Sequence, residues 1–327
     1  MSDTEGSAPR RANLADENDE RENLEEQNAD ADRAIRNFAM LTDSDEAYAH
    51  MILQDVNWSV EAALEVHFSR QKIEEPMQEV AEVEISLVTW NIDGLDLSSL
   101  RTRMKAVYCV LKRINPDFIF LQEVTEREIE ILEKLGSMYN IYYSNRSSLY
   151  FTAILVSKMF DVVSHEVHMF DNSGMGRSLQ TLEGRVGPHK IFLLNTHLES
   201  MGEHSDKRKE QLAFSLNKMA TIIRNNPDAS VFFGGDLNAR DAEVPALPQG
   251  VGDVWLAAGA PKKEQYTWDT QLNDNKSSGR FAARCRFDRV FWYGPLRNVT
   301  FCLEGKQRIR TTMCFPSDHW ALHCTFK

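Results

Sequence analysis

Apolar positions along this chain keep two rhythms. Between residues 32 and 70 they recur at helical spacing: Ile35, Phe38, Ala39 and Leu41, then Ala47, Tyr48, Met51 and Ile52, then Val60, Ala63, Leu64 and Phe68. Residues 42–45 and 55–57 interrupt the pattern, the first with N-cap chemistry. Three short amphipathic helices are predicted over 32–70, a bundle near the lower size limit for independent folding. After Glu84 the rhythm changes. Residues 85–89, 117–121, 190–195, 230–233 and 288–292 are short runs rich in β-branched and aromatic side chains, as buried strands are, and 321–326 reads as a final strand. Between them, 100–113 carries Leu100, Met104, Val107 and Leu111 at helical spacing, and 212–223 carries Leu212, Leu216, Met219 and Ile223. Strands alternating with helices predict one α/β domain over 84–327.

Polar composition marks the flanks. Residues 1–31 are acidic and nearly free of large apolar groups, so they are read as a disordered tail; 71–83, charged and holding Pro76, are read as a linker. No apolar run approaches the roughly 20 residues of a membrane helix. No apolar stretch opens the sequence as a secretory signal does, so an intracellular protein without a membrane anchor is expected. The net charge of −12 argues against indiscriminate duplex binding. Arg280, Arg284, Arg286, Arg289, Arg308 and Arg310 leave open a local cationic groove, against the ordinary solvated face. The five cysteines, Cys109, Cys285, Cys302, Cys314 and Cys324, are odd in number and lack a C-x-x-C pair. They are read as reduced, mostly buried thiols, and neither disulfides nor a structural zinc site is expected.

Four polar clusters follow the strand-like runs: Trp90-Asn91-Ile92-Asp93, Gln122-Glu123, Gly235-Asp236-Leu237-Asn238 and Ser317-Asp318-His319. The ends of strands are where an open α/β sheet presents catalytic groups. Oxygen ligands, a base and an imidazole are what a hard-metal hydrolytic site requires. Glu123 is the first choice for a direct Mg²⁺ ligand, with a plain helix-capping Glu as the alternative. Asn91 would hold a metal-bound water or a phosphate, whereas Asp93-Gly94 alone reads better as a turn. Asp236 would take a proton from attacking water while Asn238 orients it. Asp288 offers a carboxylate to orient His319, and His197 supplies a second strand-end imidazole toward the same phosphate.

Together these clusters resemble the exonuclease–endonuclease–phosphatase superfamily, related to DNase I, over about residues 84–327. The resemblance implies a two-sheet sandwich flanked by helices. Longer strings resemble the tyrosyl-DNA phosphodiesterase 2 family: TWNIDGLD at 89–96, YFTA at 150–153, THLES at 196–200, NARD at 238–241, YTWDT at 266–270, RFDR at 286–289 and FPSDHW at 315–320. That family carries a UBA-like domain ahead of its catalytic domain, which residues 32–70 resemble through Phe38, Ala47, Trp58, Ala62-Ala63-Leu64 and Phe68.

The resemblance implies hydrolysis of the 5′-phosphotyrosyl bond left on DNA by a trapped type II topoisomerase. Another branch, an apurinic endonuclease or a deadenylase, is the alternative. It also implies Asn91, Glu123, Asp236, Asn238 and His319 as the catalytic core, joined by Asp288 and His197. Glu123, Asp93 and Asn91 would hold Mg²⁺, with Mn²⁺ as a substitute. Arg240 would contact the DNA phosphate, and Tyr150, Arg177, Trp268 and Phe287 would wall a narrow groove for a single-stranded DNA end. For Trp268 and Phe287 a plain core role stays open. Residues 272–282 depart from the family pattern, which leaves the cap over the terminal bases open. In the bundle, Ala39-Met40-Leu41-Thr42 replaces the Met-Gly-Phe/Tyr loop of many ubiquitin binders, so recognition of ubiquitin or ubiquitylated proteins stands beside a purely structural role. A nuclear location, with the cytoplasm as a second site, is implied as well.

Overall fold

The computed structural model describes residues 29–71, 84–276, 282–296 and 298–327, without the side chains of 68–71. The expectations for the 1–28 part of the tail, for 72–83, for Arg280 and for the Phe68 side chain lie outside these residues. The chain divides into two units, Met1–Gln78 and Glu79–Lys327.

In the first unit, helix α1 (29–42) is followed by α2 (Glu46–Asp55) and α3 (Val60–Gln71). Asp45 begins α2 by accepting the Tyr48 backbone N–H at 2.8 Å, which satisfies one of the orphan donors of a helix start. Phe38, Tyr48, Ala49, Ile52, Leu53 and Ala63 form the core. One expectation fails here. Leu41 does not join the buried face but is 56% exposed, next to Met40 at 77%.

In the second unit the strands are β1 (Ile85–Asn91), β2 (Phe118–Val124), β3 (Tyr139–Tyr143), β4 (Phe151–Ser157), β5 (Asp161–Met169), β6 (Ser178–Val186) and β7 (His189–His197). They continue as β8 (Ser230–Asp236), β9 (Gly252–Asp253), β10 (Trp268–Asp269), β11 (Arg284–Cys285), β12 (Asp288–Tyr293), β13 (Val299–Glu304) and β14 (Ala321–Phe326). Helices α4 (Leu100–Ile114), α5 (Ile129–Leu132), α6 (Ser205–Asn225) and α7 (Val254–Ala257) lie between them. One sheet runs β13-β14-β1-β2-β4-β3 and the other β5-β6-β7-β8-β12-β9; β10 and β11 form a separate hairpin. Alternate side chains from both sheets, among them Leu87, Phe118, Phe120, Leu193, Phe232, Val290 and Phe326, fill the core of the sandwich. On the far side of the second sheet, Leu212, Leu216, Met219 and Ile222 of α6 cover Phe192, Leu194, Phe233 and Phe291. This is the helix-flanked, DNase I-like sandwich the resemblance implies.

Two strand pairs are parallel, β1 with β2 and β7 with β8. Their carboxyl ends carry Asn91, Glu123, His197 and Asp236. The active residues therefore gather at one end of the sandwich, because each parallel pair ends its two strands on the same edge.

Candidate active site

Asp236, the last residue of β8, is in register with His197 of β7 on one side and Asp288 of β12 on the other. Gly235 makes this spacing work. Its φ is +131°, and a Cβ there would meet the Thr196 carbonyl oxygen at 1.9 Å, so only glycine fits. Opposite, in the first sheet, Asn91 donates its side-chain amide to Glu123 Oε1 at 3.1 Å and to Asp236 Oδ2 at 3.0 Å. One amide thus ties the two sheets together at the site. Its own oxygen accepts the Asp93 backbone N–H at 3.0 Å. Asn238 donates its backbone N–H to Asp236 Oδ1 and its amide to the Leu198 carbonyl. Asp93, Glu123 and Asn238 all adopt left-handed backbone, with φ of 52°, 56° and 49°.

Both imidazoles aim Nε2 at the same atom, Asp236 Oδ2, at 3.4 Å for His197 and 3.8 Å for His319. Their other nitrogens differ. His319 Nδ1 meets Asp288 Oδ2 at 2.8 Å. Burial disfavours its charge, but Asp288, Asp236 and Asp318 outweigh that and hold its pKa well above the usual histidine range. His319 is an imidazolium. His197 Nδ1 instead accepts from the Arg177 guanidinium at 2.7 Å, which leaves its proton on Nε2. Burial, Arg177 and His319 together hold His197 well below the usual range, so it is neutral. Burial, then the neighbouring Asp288, pushes Asp236 above the ordinary carboxylate range, the direction a proton acceptor near neutral pH needs.

A second acidic group lies beside this one. Burial raises Asp93 to about 7, with Asp318 and Glu123 adding to it against Arg103 and Lys276. Burial also raises Glu123, and Asp318 and Asp236 reinforce the shift. Asp93 Oδ2 is buried without a hydrogen-bond partner. Buried carboxylates that raise one another, one with an oxygen that has no hydrogen bond and only a 3.5 Å ion pair to Arg103, fit a bound divalent cation, and oxygen-only donors suit a hard one. Asn91 turns its NH₂ toward Glu123, while Asp93 Oδ1 lies 3.1 Å from Lys276 and Oδ2 3.5 Å from Arg103. Asp236, Asp288 and His319 also lie within 4.8 Å of one another. In that trio Asp288 sits behind the His319 ring and Asp236 in front of it, so the two carboxylates orient the imidazole and favour its charged form.

The groove residues divide. Arg177 is buried with its guanidinium 5.0 Å from the centre of the Tyr150 ring, so these two form one wall beside His197. Trp268 and Phe287 pack 5.7 Å apart, both half-buried, and the Trp268 indole donates to Asp318 Oδ2 at 3.2 Å. Neither is fully buried, so their ring faces are not consumed by a core. Arg240 is exposed and its backbone N–H is held by Glu243, so it stands outside the hydrogen-bonded cluster.

Three residues support the site without a role assigned to them from the sequence. Arg103 is buried inside α4 and donates to the carbonyls of Asp93, Asp96, Ser98 and Pro316, which fixes the turn after β1. Lys276, within the stretch that departs from the family pattern, sits 3.1 Å from Asp93 and 3.0 Å from Asp96. Gln122 crosses the sandwich to Asn195 at 2.8 Å. Of these, only Gln122 had a signal, a polar residue closing a buried run.

Residues 88–319 match the Endonuclease/Exonuclease/phosphatase family, and residues 32–73 match the UBA-like domain. The chain is 48% identical to a 5′-tyrosyl-DNA phosphodiesterase of Caenorhabditis briggsae, over 100% of this chain and 99% of that protein. A crystal structure of TDP2 from Caenorhabditis elegans is 48% identical with a TM-score of 0.74, covering 100% of this chain and 98% of that one. A Danio rerio TDP2 structure, complexed with single-strand DNA product, is 35% identical with a TM-score of 0.70, covering 75% of this chain and 100% of that one.

Proposed function

The chain belongs to the endonuclease/exonuclease/phosphatase family, and within it to the tyrosyl-DNA phosphodiesterase 2 enzymes; from that premise we propose that it hydrolyses the 5′-phosphotyrosyl bond of DNA adducts left by trapped type II topoisomerases. The product is a 5′-phosphate ready for ligation. The observation that carries this reading is Asp236, a buried carboxylate facing a neutral imidazole, an imidazolium and an amide from the opposite sheet.

A tyrosine phenol has a pKa of about 10, far below a sugar hydroxyl, so it leaves readily. The residues then need chiefly to align water and neutralise phosphoryl oxygens. Asp236 accepts the proton of the attacking water, and Asn238 orients that water. The His319 imidazolium, held charged by Asp288, donates to a non-bridging oxygen as negative charge builds. His197, its far nitrogen bound to Arg177, keeps its Nε2 proton toward Asp236 and the phosphate. Glu123 and Asp93, braced by Asn91, would hold Mg²⁺, with Mn²⁺ as a substitute, and that ion supplies polarisation of the phosphoryl oxygen. Tyr150 and Arg177 on one side and Trp268 and Phe287 on the other would flank a single-stranded 5′ end, with Arg240 on its backbone. We assign all of this to residues 84–327.

Incubation with a 5′-tyrosyl oligonucleotide, an abasic duplex and poly(A) in Mg²⁺ tests the reading. Tyrosine release from the first is expected. Its absence, with cleavage of either of the others, moves the chain to another branch of the family.

Met40 and Leu41, exposed at the end of α1, favour a binding role for the UBA-like unit, and we assign it to ubiquitin. A ubiquitin titration that leaves the amide resonances of Met40, Leu41 and Val66 in place removes that assignment. The substrate implies work in the nucleus, which localisation of the tagged chain tests against a cytoplasmic one. Among the described residues no helix is long and apolar enough to cross a membrane.

A further inference from the structure

A second donor cluster lies on the outer face of the first sheet, on its edge strand β13 and the neighbouring β14. Cys302 of β13 stands directly opposite His323 of β14 in the antiparallel register. Glu304, two residues beyond Cys302, points from the same face. One donor atom from each lies within 4.8 Å of the other two, and all three residues are half-buried. We propose that Cys302, Glu304 and His323 form a binding site for a divalent transition ion, Zn²⁺ by its donor chemistry, with the fourth position left to water.

Spacing is the first argument. Ligand atoms 2.0–2.3 Å from a tetrahedral ion stand about 3.5 Å apart. Cys302 Sγ and His323 Nδ1 are 3.7 Å apart, so an ion can enter without moving either strand. The second argument is the support around the ligands. His323 Nε2 lies 2.9 Å from Ser86 Oγ on β1, which fixes the ring and turns the Nδ1 lone pair toward the sulfur. A metal-binding imidazole is ordinarily held in this way through its far nitrogen. Burial keeps His323 below the usual histidine range, hence in the neutral form that ligates. Arg113 bonds one Glu304 oxygen at 2.6 Å, and a carboxylate has a second oxygen to offer an ion.

Donor type is the third argument. A sulfur, an imidazole and a single carboxylate select zinc-like ions over Mg²⁺, which asks for oxygens alone. Binding exchanges the thiol proton for the ion: the S–H bond breaks, a bond from sulfur to the metal forms, and the proton leaves to solvent. That proton is tightly held beforehand, because burial, Glu304 and Glu264 push the Cys302 thiol up against Lys306 and Arg113. The ligands come from two strands joined by a long loop, so no metal-binding spacing is visible along the chain.

The full chain titrated with Co²⁺ under a non-chelating reductant tests the site. A thiolate-to-cobalt absorption band is expected at one equivalent, in wild type and in Cys285→Ser, and lost in Cys302→Ser. Oxygen ligands at the strand ends do not produce such a band. Zn²⁺ should raise the melting temperature of wild type and not that of Cys302→Ser. Ser86→Ala should weaken Co²⁺ binding about tenfold, because it frees the ligating ring. A wild type without the band, a band that persists in Cys302→Ser, or undiminished affinity in Ser86→Ala would overturn the assignment.

Discussion

His197 and His319 stand at two corners of the same site, almost equally buried and aimed at one oxygen of Asp236, yet they carry opposite charge states. What differs is the group behind each ring. Arg177 backs His197, and Asp288 backs His319. Burial lowers the pKa of both imidazoles, typically by a few units. A unit charge 4 Å away, at an effective dielectric near 20, contributes about 4 kcal/mol, or about three pKa units. The two effects are comparable, so the sign of the rear partner decides. At the His319 corner Asp236 and Asp318 act with Asp288 and the charge survives. At the His197 corner Arg177 acts with burial and the charge is lost. A buried histidine's role is thus set by the partner of its far nitrogen, which its place in the sequence does not reveal.

The largest effect should come from removing the anion both corners share. Asp236→Asn is expected to lower kcat by about 10³-fold, a general-base loss measured as tyrosine release. Full release by this variant would mean the base lies elsewhere. Next, Asp288→Asn should cost about 10²-fold at pH 8. It should also move the alkaline limb of the pH–rate profile to lower pH, because an imidazolium without its carboxylate deprotonates earlier. An alkaline limb that stays in place breaks the comparison at its stronger corner. Arg177→Gln should have a milder cost, about tenfold. It should raise the His197 pKa as the adjoining cation disappears, readable from imidazole proton shifts. The smallest effect concerns stability. A histidine with a raised folded-state pKa contributes fully below its unfolded value of about 6.5, and that contribution fades as pH climbs through the folded value. The melting-temperature gap between wild type and Asp288→Asn should therefore be widest near pH 6 and shrink in alkali.

The clusters on β1, β2, β7 and β8 were legible because a polar residue closes an apolar run. The fourth differs from its expected place: Ser317-Asp318-His319 precedes β14 rather than following a strand, and Asp288 opens β12, so these two strands were found from their own apolar composition. The edge strand β5, DVVSHEVHM, was not legible, since its residues are half-buried or exposed and lack the composition of a core strand. The first turns of α6, beginning SDKRKE, were equally silent, being charged and mostly turned to water. Arg103 carries no signal in the sequence beyond being one charge within a predicted amphipathic helix. Only folding brings the carbonyls of Asp93 and Pro316, far apart in the chain, to its guanidinium. The cysteines were expected to be mostly buried, but among the five free thiols only Cys109 and Cys324 are. The other three lie on strands or loops whose outer faces are only partly covered.

Asp93, Glu123 and Asn238 hold their side chains in place from left-handed backbone. That conformation costs a residue with a Cβ roughly 1–2 kcal/mol more than it costs glycine, somewhat less for Asp and Asn. Total stability of a domain is only about 5–15 kcal/mol. Heat and turnover therefore select in opposite directions at these turns. A library of variants screened only for surviving a high temperature would tend toward glycine at 123, yielding a sturdier chain that has lost its strand-end carboxylate. Glutamate at that strained bulge of β2 is the mark of a molecule shaped by the reaction it performs.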